Sequence, residues 1–252
     1  MRREIRVNRA FMKSVFASLA PGTSDQSLRK PQPPLERPHD AQARRISLPA
    51  PDPGVIVHPD LDVCLRKRRS RRGWTDEPLS LGELSYLLWA TQGVEEVLGR
   101  DYATLRPSPS AGARHPFETY LLVNRVTGVD TGVHRYLPLS HELVLLFEKG
   151  DAQRRVLEAT FGQRFVAHAP VLFIWSCVPY RGEWRYTVAA HKVMLLDAGH
   201  VCQNLYLASE AIGAGACAIG AYDQGAMDAF LGLDGEDEFV VYLAPVGKPR
   251  RA

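Results

Sequence analysis

Nine of the 18 prolines fall before residue 60, and they split the chain into two parts that cannot fold alike. Proline lacks an amide hydrogen and has a fixed φ. A run such as Pro31-Gln32-Pro33-Pro34-Leu35-Glu36-Arg37-Pro38 is therefore barred from helices and from the interior of a sheet, and favours extended, polyproline-like backbone. Residues 1–57 read as a short basic helix over about 8–19 followed by an extended arm, either wrapped round the domain or left as a disordered tail. Residues 58–252 carry the pattern of a packed fold and are expected to form the globular domain.

Within that domain Leu61, Cys64 and Leu65 have helical spacing. Ser80-Leu81-Gly82-Glu83 is a capping box, with Leu84, Leu87, Leu88 and Thr91 on one face of the helix it starts and Gly93 as its stop. Segments 118–123, 132–136 and 142–147 read as strands joined by loops that suit antiparallel neighbours. The apolar run 169–178 is of strand length and is expected mid-sheet with both faces covered. Helices are expected over 151–160, 191–212 and 225–231, and a last strand over 238–244. Val193, Leu196, Val201, Leu205, Ala208 and Ile212 form the apolar stripe of the long helix. This mixed order predicts an α+β fold rather than a regular βαβ repeat.

Several functions are excluded or demoted. No apolar run reaches the 18 or more residues of a membrane span, which leaves the cytoplasm as the default compartment and no membrane partner. Cys64, Cys177, Cys202 and Cys217 are widely spaced and read as buried free thiols. There is no G-x-G-x-x-G after a strand, no phosphate-binding P-loop, no H-E-x-x-H and no G-x-S-x-G, and no metal site is expected. Asp197, His200 and Asn204 line one face of the long helix and suit either a functional role or polar positions at a helix–helix contact.

The densest signal is Arg66-Lys67-Arg68-Arg69-Ser70-Arg71-Arg72, six cations in seven residues. Like charges repel, so a fold gathers them where an anion sits. Residues 1–50 carry a balance of +6 and the remaining 202 a balance of −3, so the run stands out against a slightly acidic domain, which argues against nucleic acid. Forked guanidiniums with the Ser70 hydroxyl suit a phosphate monoester, with a solvated charge run as the alternative. Two further segments suit a flat ligand: the small-residue loop Pro109-Ser110-Ala111-Gly112-Ala113-Arg114-His115-Pro116, and the bare backbone of Gly213 through Gly220.

Five ordered motifs, RRSRRGW, PLSLGELSYLLWATQGV, RPSPSAGARHPFETYLLVNRV, LLDAGHVCQNLYLASEAIGAGACAIGAYDQ and EDEFVVYLAPVGKP, resemble the SagB-type dehydrogenase branch of the nitroreductase superfamily over about residues 58–249. The resemblance implies a nitroreductase-like α+β fold, with a mostly antiparallel central sheet flanked by helices, built as an intertwined homodimer with FMN at the subunit interface. It further implies that Arg68, Arg69, Ser70 and Arg72 hold the FMN phosphate and ribityl chain, joined by Lys248 and Arg250. Pro109, Ser110, Ala111, Gly112 and Ala113 would line the flavin from the partner subunit, and Ile219, Gly220 and Ala221 would lie against its edge near N5. Arg66, Lys67 and Arg71 would then be solvated or paired with acidic neighbours.

The implied activity is two-electron hydride transfer through flavin N5, with NAD(P)H as donor and a small molecule or peptide as substrate. The reactive atom would belong to the cofactor, which accounts for the lack of an acid–base pair in the sequence. Members that oxidise azolines to azoles carry a Lys-Tyr pair shortly before the long helix, where this chain has Arg185-Tyr186. Arg185 cannot serve as a base near neutral pH, whereas Tyr186 can serve as an acid or as packing. Azoline dehydrogenation and a non-catalytic flavin-binding module are the alternatives.

Overall fold

The computed structural model describes residues 2–250. After helix α1 (Arg2–Phe11) the chain runs through the extended arm, which includes β1 (Arg45–Ser47), to α2 (Leu61–Lys67) and α3 (Leu81–Gln92). A small hairpin, β2 (Glu96–Leu98) and β3 (Ala103–Leu105), precedes three long strands, β4 (Phe117–Val123), β5 (Gly132–Leu137) and β6 (Glu142–Glu148). Helices α4 (Ala152–Ala159) and α5 (Arg164–Ala167) lead to β7 (Val171–Cys177), α6 (Tyr180–Tyr186) and the long α7 (Ala190–Ala211). Strand β8 (Gly215–Ala216), α8 (Gln224–Leu231) and β9 (Phe239–Gly247) complete the fold.

Seven strands form one sheet in the order β1-β6-β5-β4-β7-β9-β8, and every neighbouring pair is antiparallel. The expected central strand lies where its composition placed it: β7 pairs with β4 (Leu121 opposite Phe173) and with β9 (Phe173 opposite Ala244). Strand side chains alternate between faces. Val171, Phe173, Trp175 and Cys177 pack with α3 and α7, while Leu172 and Ile174 pack with α4, α5 and α8. A strand sandwiched in this way is apolar at every position but Ser176, whose buried hydroxyl donates to Glu238 Oε1, which is why 169–178 showed no polar alternation.

The capping box forms as predicted. Ser80 Oγ accepts from Glu83 N at 3.1 Å, and Glu83 Oε2 accepts from Ser80 N at 2.8 Å. Ser80→Ala is expected to lower stability by about 1 kcal/mol in urea melts. Glu83 also receives the Lys248 ammonium.

The arm is wrapped round the domain. Gln26 N donates to Trp184 O, Trp184 Nε1 to Lys30 O, Arg181 Nε to Pro34 O, and Arg135 Nη2 to Arg37 O and Pro38 O. Arg37 N donates to the buried Glu118 Oε1, and β1 adds an edge strand on β6. The basic helix lies earlier than the expected 8–19, at Arg2–Phe11, and buries no residue. With no buried side chain to fix it against the domain, its register is set more by local preference than by packing.

Two buried imidazoles make the fold acid-sensitive. Burial pushes His115 down to about 3 and His134 down to about 4 from an ordinary 6.5. The unfolded chain therefore takes up these protons first. Their contribution is fully present above pH 6.5 and is lost as pH falls, at about 1.4 kcal/mol per pH unit per histidine until each folded pKa is reached. Urea midpoints are expected to drop steadily below pH 6.5, and His134→Gln to flatten that slope by roughly one proton.

Candidate active site

The basic run begins as the last turn of α2 and leaves it as an extended strand against the sheet edge. Ser70 bridges Ala216 in parallel, Arg71 N donates to Ala216 O, and Trp74 bridges Pro249. The six cations separate by partner. Arg66 Nε pairs with Asp62 at 2.6 Å. Arg71 departs from the expectation of a solvated flank: it is half-buried and its stem lies over Gly215, where an added Cβ would sit 2.5 Å from Arg71 Cγ. Arg68, Arg69 and Arg72 have no acidic partner among the described residues. Arg68 stacks on the Tyr206 ring at 5.1 Å, Arg69 Nη1 donates to the carbonyls of Arg66 and Arg68, and Arg72 lies over Phe165 at 6.0 Å.

Tyr206, on α7, ties this surface together. Its hydroxyl lies 3.0 Å from Ser70 Oγ and accepts from Ala218 N at 2.7 Å. The basic run and the Gly/Ala segment are thus held side by side. Beyond Ala218, Ile219 is fixed to Leu243 by two backbone hydrogen bonds, while Gly220 and Ala221 are exposed and a Cβ on Gly220 would meet nothing within 4 Å. Unpaired guanidiniums, a hydroxyl and an open strip of backbone fit a phosphorylated planar group. Lys248 is turned to Glu83 and to Ile212 O (3.0 Å), and Arg250 Nε donates to Trp74 O at 2.7 Å.

A second group of predicted residues gathers at the other end of α7. Ser110 Oγ donates to Asp197 Oδ2 at 2.7 Å, Ala111 N donates to the same oxygen at 3.0 Å, and His115 N donates to Ser110 Oγ at 3.0 Å. Gly112, Ala113 and His115 have φ of 59°, 53° and 42°. Gly112 is required twice over, by its left-handed backbone and because a Cβ would lie 2.5 Å from Tyr186 Oη and 2.9 Å from Arg185 Cδ. The loop 110–113 and Arg185-Tyr186 are therefore neighbours, while Pro109 is exposed at the loop's entry. Arg185 Nη1 donates to Tyr102 Oη at 3.0 Å, and Phe16 from the arm meets the Tyr186 ring edge-on at 5.8 Å.

Sequence reasoning missed Tyr206, Tyr102 and Phe16, since a lone aromatic carries no motif. Of the polar face on α7, Asp197 anchors the loop. Asn204 Nδ2 donates to Ala90 O at 2.9 Å, and the exposed His200 lies 3.9 Å from Asp197. No cluster of three or more metal-ligating side chains occurs among the described residues. The four cysteines are free and buried, with Cys177 and Cys202 pushed up to about 12 by burial, so neither offers a reactive thiolate.

The model of the nitroreductase family matches residues 65–248, which takes in both groups. The chain belongs to the nitroreductase family. Among relatives of this oxidoreductase family, a protein of Methanocaldococcus jannaschii is 34% identical over 188 residues, covering 75% of this chain and 90% of its own. The trifolitoxin-processing protein TfxB of Rhizobium leguminosarum is 31% identical over 109 residues, 42% of this chain and 29% of TfxB. Two nitroreductase-family structures, from Anabaena variabilis and Ralstonia eutropha, superpose with TM-scores of 0.69 and 0.68, each at 26% identity. They cover 83% and 88% of this chain, which spans 42% of the first and 95% of the second. The fold alone is shared with an FMN complex from Desulfovibrio desulfuricans (TM-score 0.53, 18% identity, covering 77% of this chain and 89% of that one).

Proposed function

We propose that this nitroreductase-family chain is an FMN-dependent oxidoreductase of the SagB-type branch, acting as a homodimer with NAD(P)H as electron donor. The observation that carries the reading is the Tyr206-centred surface, where three guanidiniums without acidic partners among the described residues and Ser70 lie beside the open backbone at Gly220. Arg68, Arg69, Ser70 and Arg72 would hold the phosphate and ribityl chain, and Ile219, Gly220 and Ala221 would border the ring. When bound, FMN supplies a two-electron donor and acceptor. The protein's own residues would bind and orient it, and Tyr186, beside the 110–113 loop, would serve as an acid or as packing.

The dimer reading has its own support. The two groups of site residues hang from Asp197 and Tyr206, nine residues and roughly 14 Å apart along α7, so one chain presents two separated halves. Val188 at the entry to α7, and Leu195 and Leu196 on it, are 64%, 50% and 55% exposed, an apolar surface suited to a second copy.

The test is direct. Purified protein is expected to be yellow, with Arg69→Ala losing FMN far more readily than Lys67→Ala; equal retention in both would displace the phosphate site from Arg69. Anaerobic NADH or NADPH is expected to bleach the flavin, and an unbleached flavin with both donors would favour the non-catalytic module.

The likeness to a trifolitoxin-processing protein supports a second reading, azoline dehydrogenation on a ribosomal peptide. Arg185 stands where such members carry lysine, so Tyr186 would be the proton-handling group. Mass spectrometry of a heterocyclised peptide would then show loss of two hydrogens per ring; no loss leaves a small-molecule reductase.

A further inference from the structure

Tyr102, in the turn between β2 and β3, stands beside Arg185 and the 110–113 loop with a hydroxyl that only accepts. Its oxygen receives two N–H donors, Arg185 Nη1 of α6 at 3.0 Å and Gln26 Nε2 of the arm at 3.0 Å. Both lone pairs of the neutral phenol are thereby taken, and no acceptor among the described residues receives its O–H. A second guanidinium, Arg114, lies 4.9 Å from the centre of the Tyr102 ring and 5.5 Å from that of Trp184. Arg114 also donates from Nη2 to Tyr102 O at 2.8 Å and from Nε to Gly112 O at 3.0 Å, which fixes the tyrosine to the loop. Neither guanidinium has an acidic partner among the described residues. Tyr102 is 43% exposed, so a small molecule can reach it.

Donors and cations gathered at a phenol oxygen favour the form that carries charge there. Burial pushes the Tyr102 phenol up, but the Gln26 and Arg185 hydrogen bonds and the Arg185 and Arg114 charges outweigh it and hold the group below its ordinary 10. Asp25 and Lys30 on the arm pair with each other at 2.9 Å, and Arg100 and Asp101 of the turn are exposed and of opposite sign. A phenol whose anion is stabilised in advance gives up its proton readily, which makes it the better general acid near neutral pH.

We propose that Tyr102 Oη is the proton-donating group of this site, delivering a proton to a small-molecule acceptor while Gln26, Arg185 and Arg114 hold the phenolate left behind. The role rests on the oxidoreductase reading; the ionisation of Tyr102 does not. In the reduction of a nitroaromatic, NAD(P)H is oxidised to NAD(P)⁺ and supplies a hydride, and Tyr102 supplies the proton. One N–O bond breaks, the oxygen leaves as water, and a nitroso group remains. Solvent then reprotonates the phenolate.

The experiment starts from the protein as purified, with flavin content recorded and phenolate absorbance followed in the near ultraviolet as pH is raised. The difference between wild type and Tyr102→Phe isolates this one phenol, because burial holds Tyr86, Tyr120, Tyr136, Tyr222 and Tyr242 above 10. Its midpoint is expected below 10, and is expected to rise in Gln26→Ala, which removes one donor and no charge. With nitrobenzene as acceptor, Tyr102→Phe is expected to lower kcat about a hundredfold at matched flavin content. Anaerobic bleaching by NADH or NADPH is expected to persist in this variant, since it needs no proton from Tyr102. Wild-type kcat is expected to fall as pH rises through the spectroscopic midpoint, where the donor is lost, and Tyr102→Phe to lack that fall. A yellow, bleachable protein whose Tyr102 titrates at 10 or above would overturn the proposal and spare the flavin reading, as would equal kcat in Tyr102→Phe. A colourless or unbleached protein whose Tyr102 still titrates below 10 would sink the oxidoreductase reading, and the proton step with it, and leave only the ionised phenol.

Discussion

Arg181→Ala is expected to destabilise the protein by about 3–5 kcal/mol, the range for breaking a buried ion pair from one side. Arg181 and Glu118 are both almost fully buried and paired through Nη2 and Oε1. Removing the cation leaves Glu118 without its countercharge in a place water does not reach, and that uncompensated carboxylate carries most of the loss. The same substitution frees Pro34 O, the acceptor of Arg181 Nε, while Glu118 Oε1 still receives Arg37 N. The arm is therefore expected to loosen at 34–38, seen as faster proteolysis there before global unfolding. Urea melts check the magnitude. In Glu118→Gln/Arg181→Met both charges are gone, and much of the loss is expected to return, because a buried pair contributes little net stability against neutral groups of similar size. A double variant as unstable as Arg181→Ala would show that the site needs the charges themselves.

That pair also shows where sequence reasoning reaches its limit. Glu118 sits in β4 and Arg181 in α6, and nothing local links them. Helix α6 was not expected from sequence because its interior residue Gly182 disfavours helix and no side chain caps it. It forms because Gly182 lets it lie against α7, where a Cβ would sit 2.9 Å from Met194 Sδ. Likewise Arg45–Ser47 becomes a strand only by pairing with β6. The elements that were legible carry their own signals: a capping box for α3, an apolar run broken only at Ser176 for β7, and a long stripe for α7, from which the expected Leu196 departs by facing outward. The candidate site divides in the same way. The basic run, the 110–113 loop and the Gly/Ala segment stand out by composition. The side chains that hold them, Tyr206 and Asp197, are defined by tertiary contact, and Arg71 leaves the charged flank because the chain beside it carries Gly215.

Asp197→Ala is expected to cost about 2–4 kcal/mol, from two hydrogen bonds to one carboxylate oxygen at roughly 1.5–3 kcal/mol each, partly recovered by water at this half-open loop. It is also expected to weaken FMN binding at least tenfold. Asp197 does more than satisfy two donors. Through Ser110, which accepts in turn from His115 N, it closes the turn that keeps Gly112, Ala113 and His115 left-handed. For Ala113 and His115 that backbone costs of order 1–3 kcal/mol each, so the loop holds its shape only while anchored. Burial outweighs the two hydrogen bonds and raises the Asp197 pKa above its ordinary 3.8, so the folded chain takes its proton at a higher pH than the unfolded one. By linkage this group alone favours unfolding above that window and not below it, opposite in sign to His115 and His134. Asp197→Asn keeps one acceptor oxygen without the charge and is expected to fall between wild type and alanine in both readouts. Ser110→Ala removes the relay but leaves Ala111 N paired, with a smaller effect on each. If Asp197→Ala lowers stability as stated yet retains FMN like the wild type, the 110–113 loop does not border the flavin, and its nearness to Arg185 and Tyr186 is packing alone.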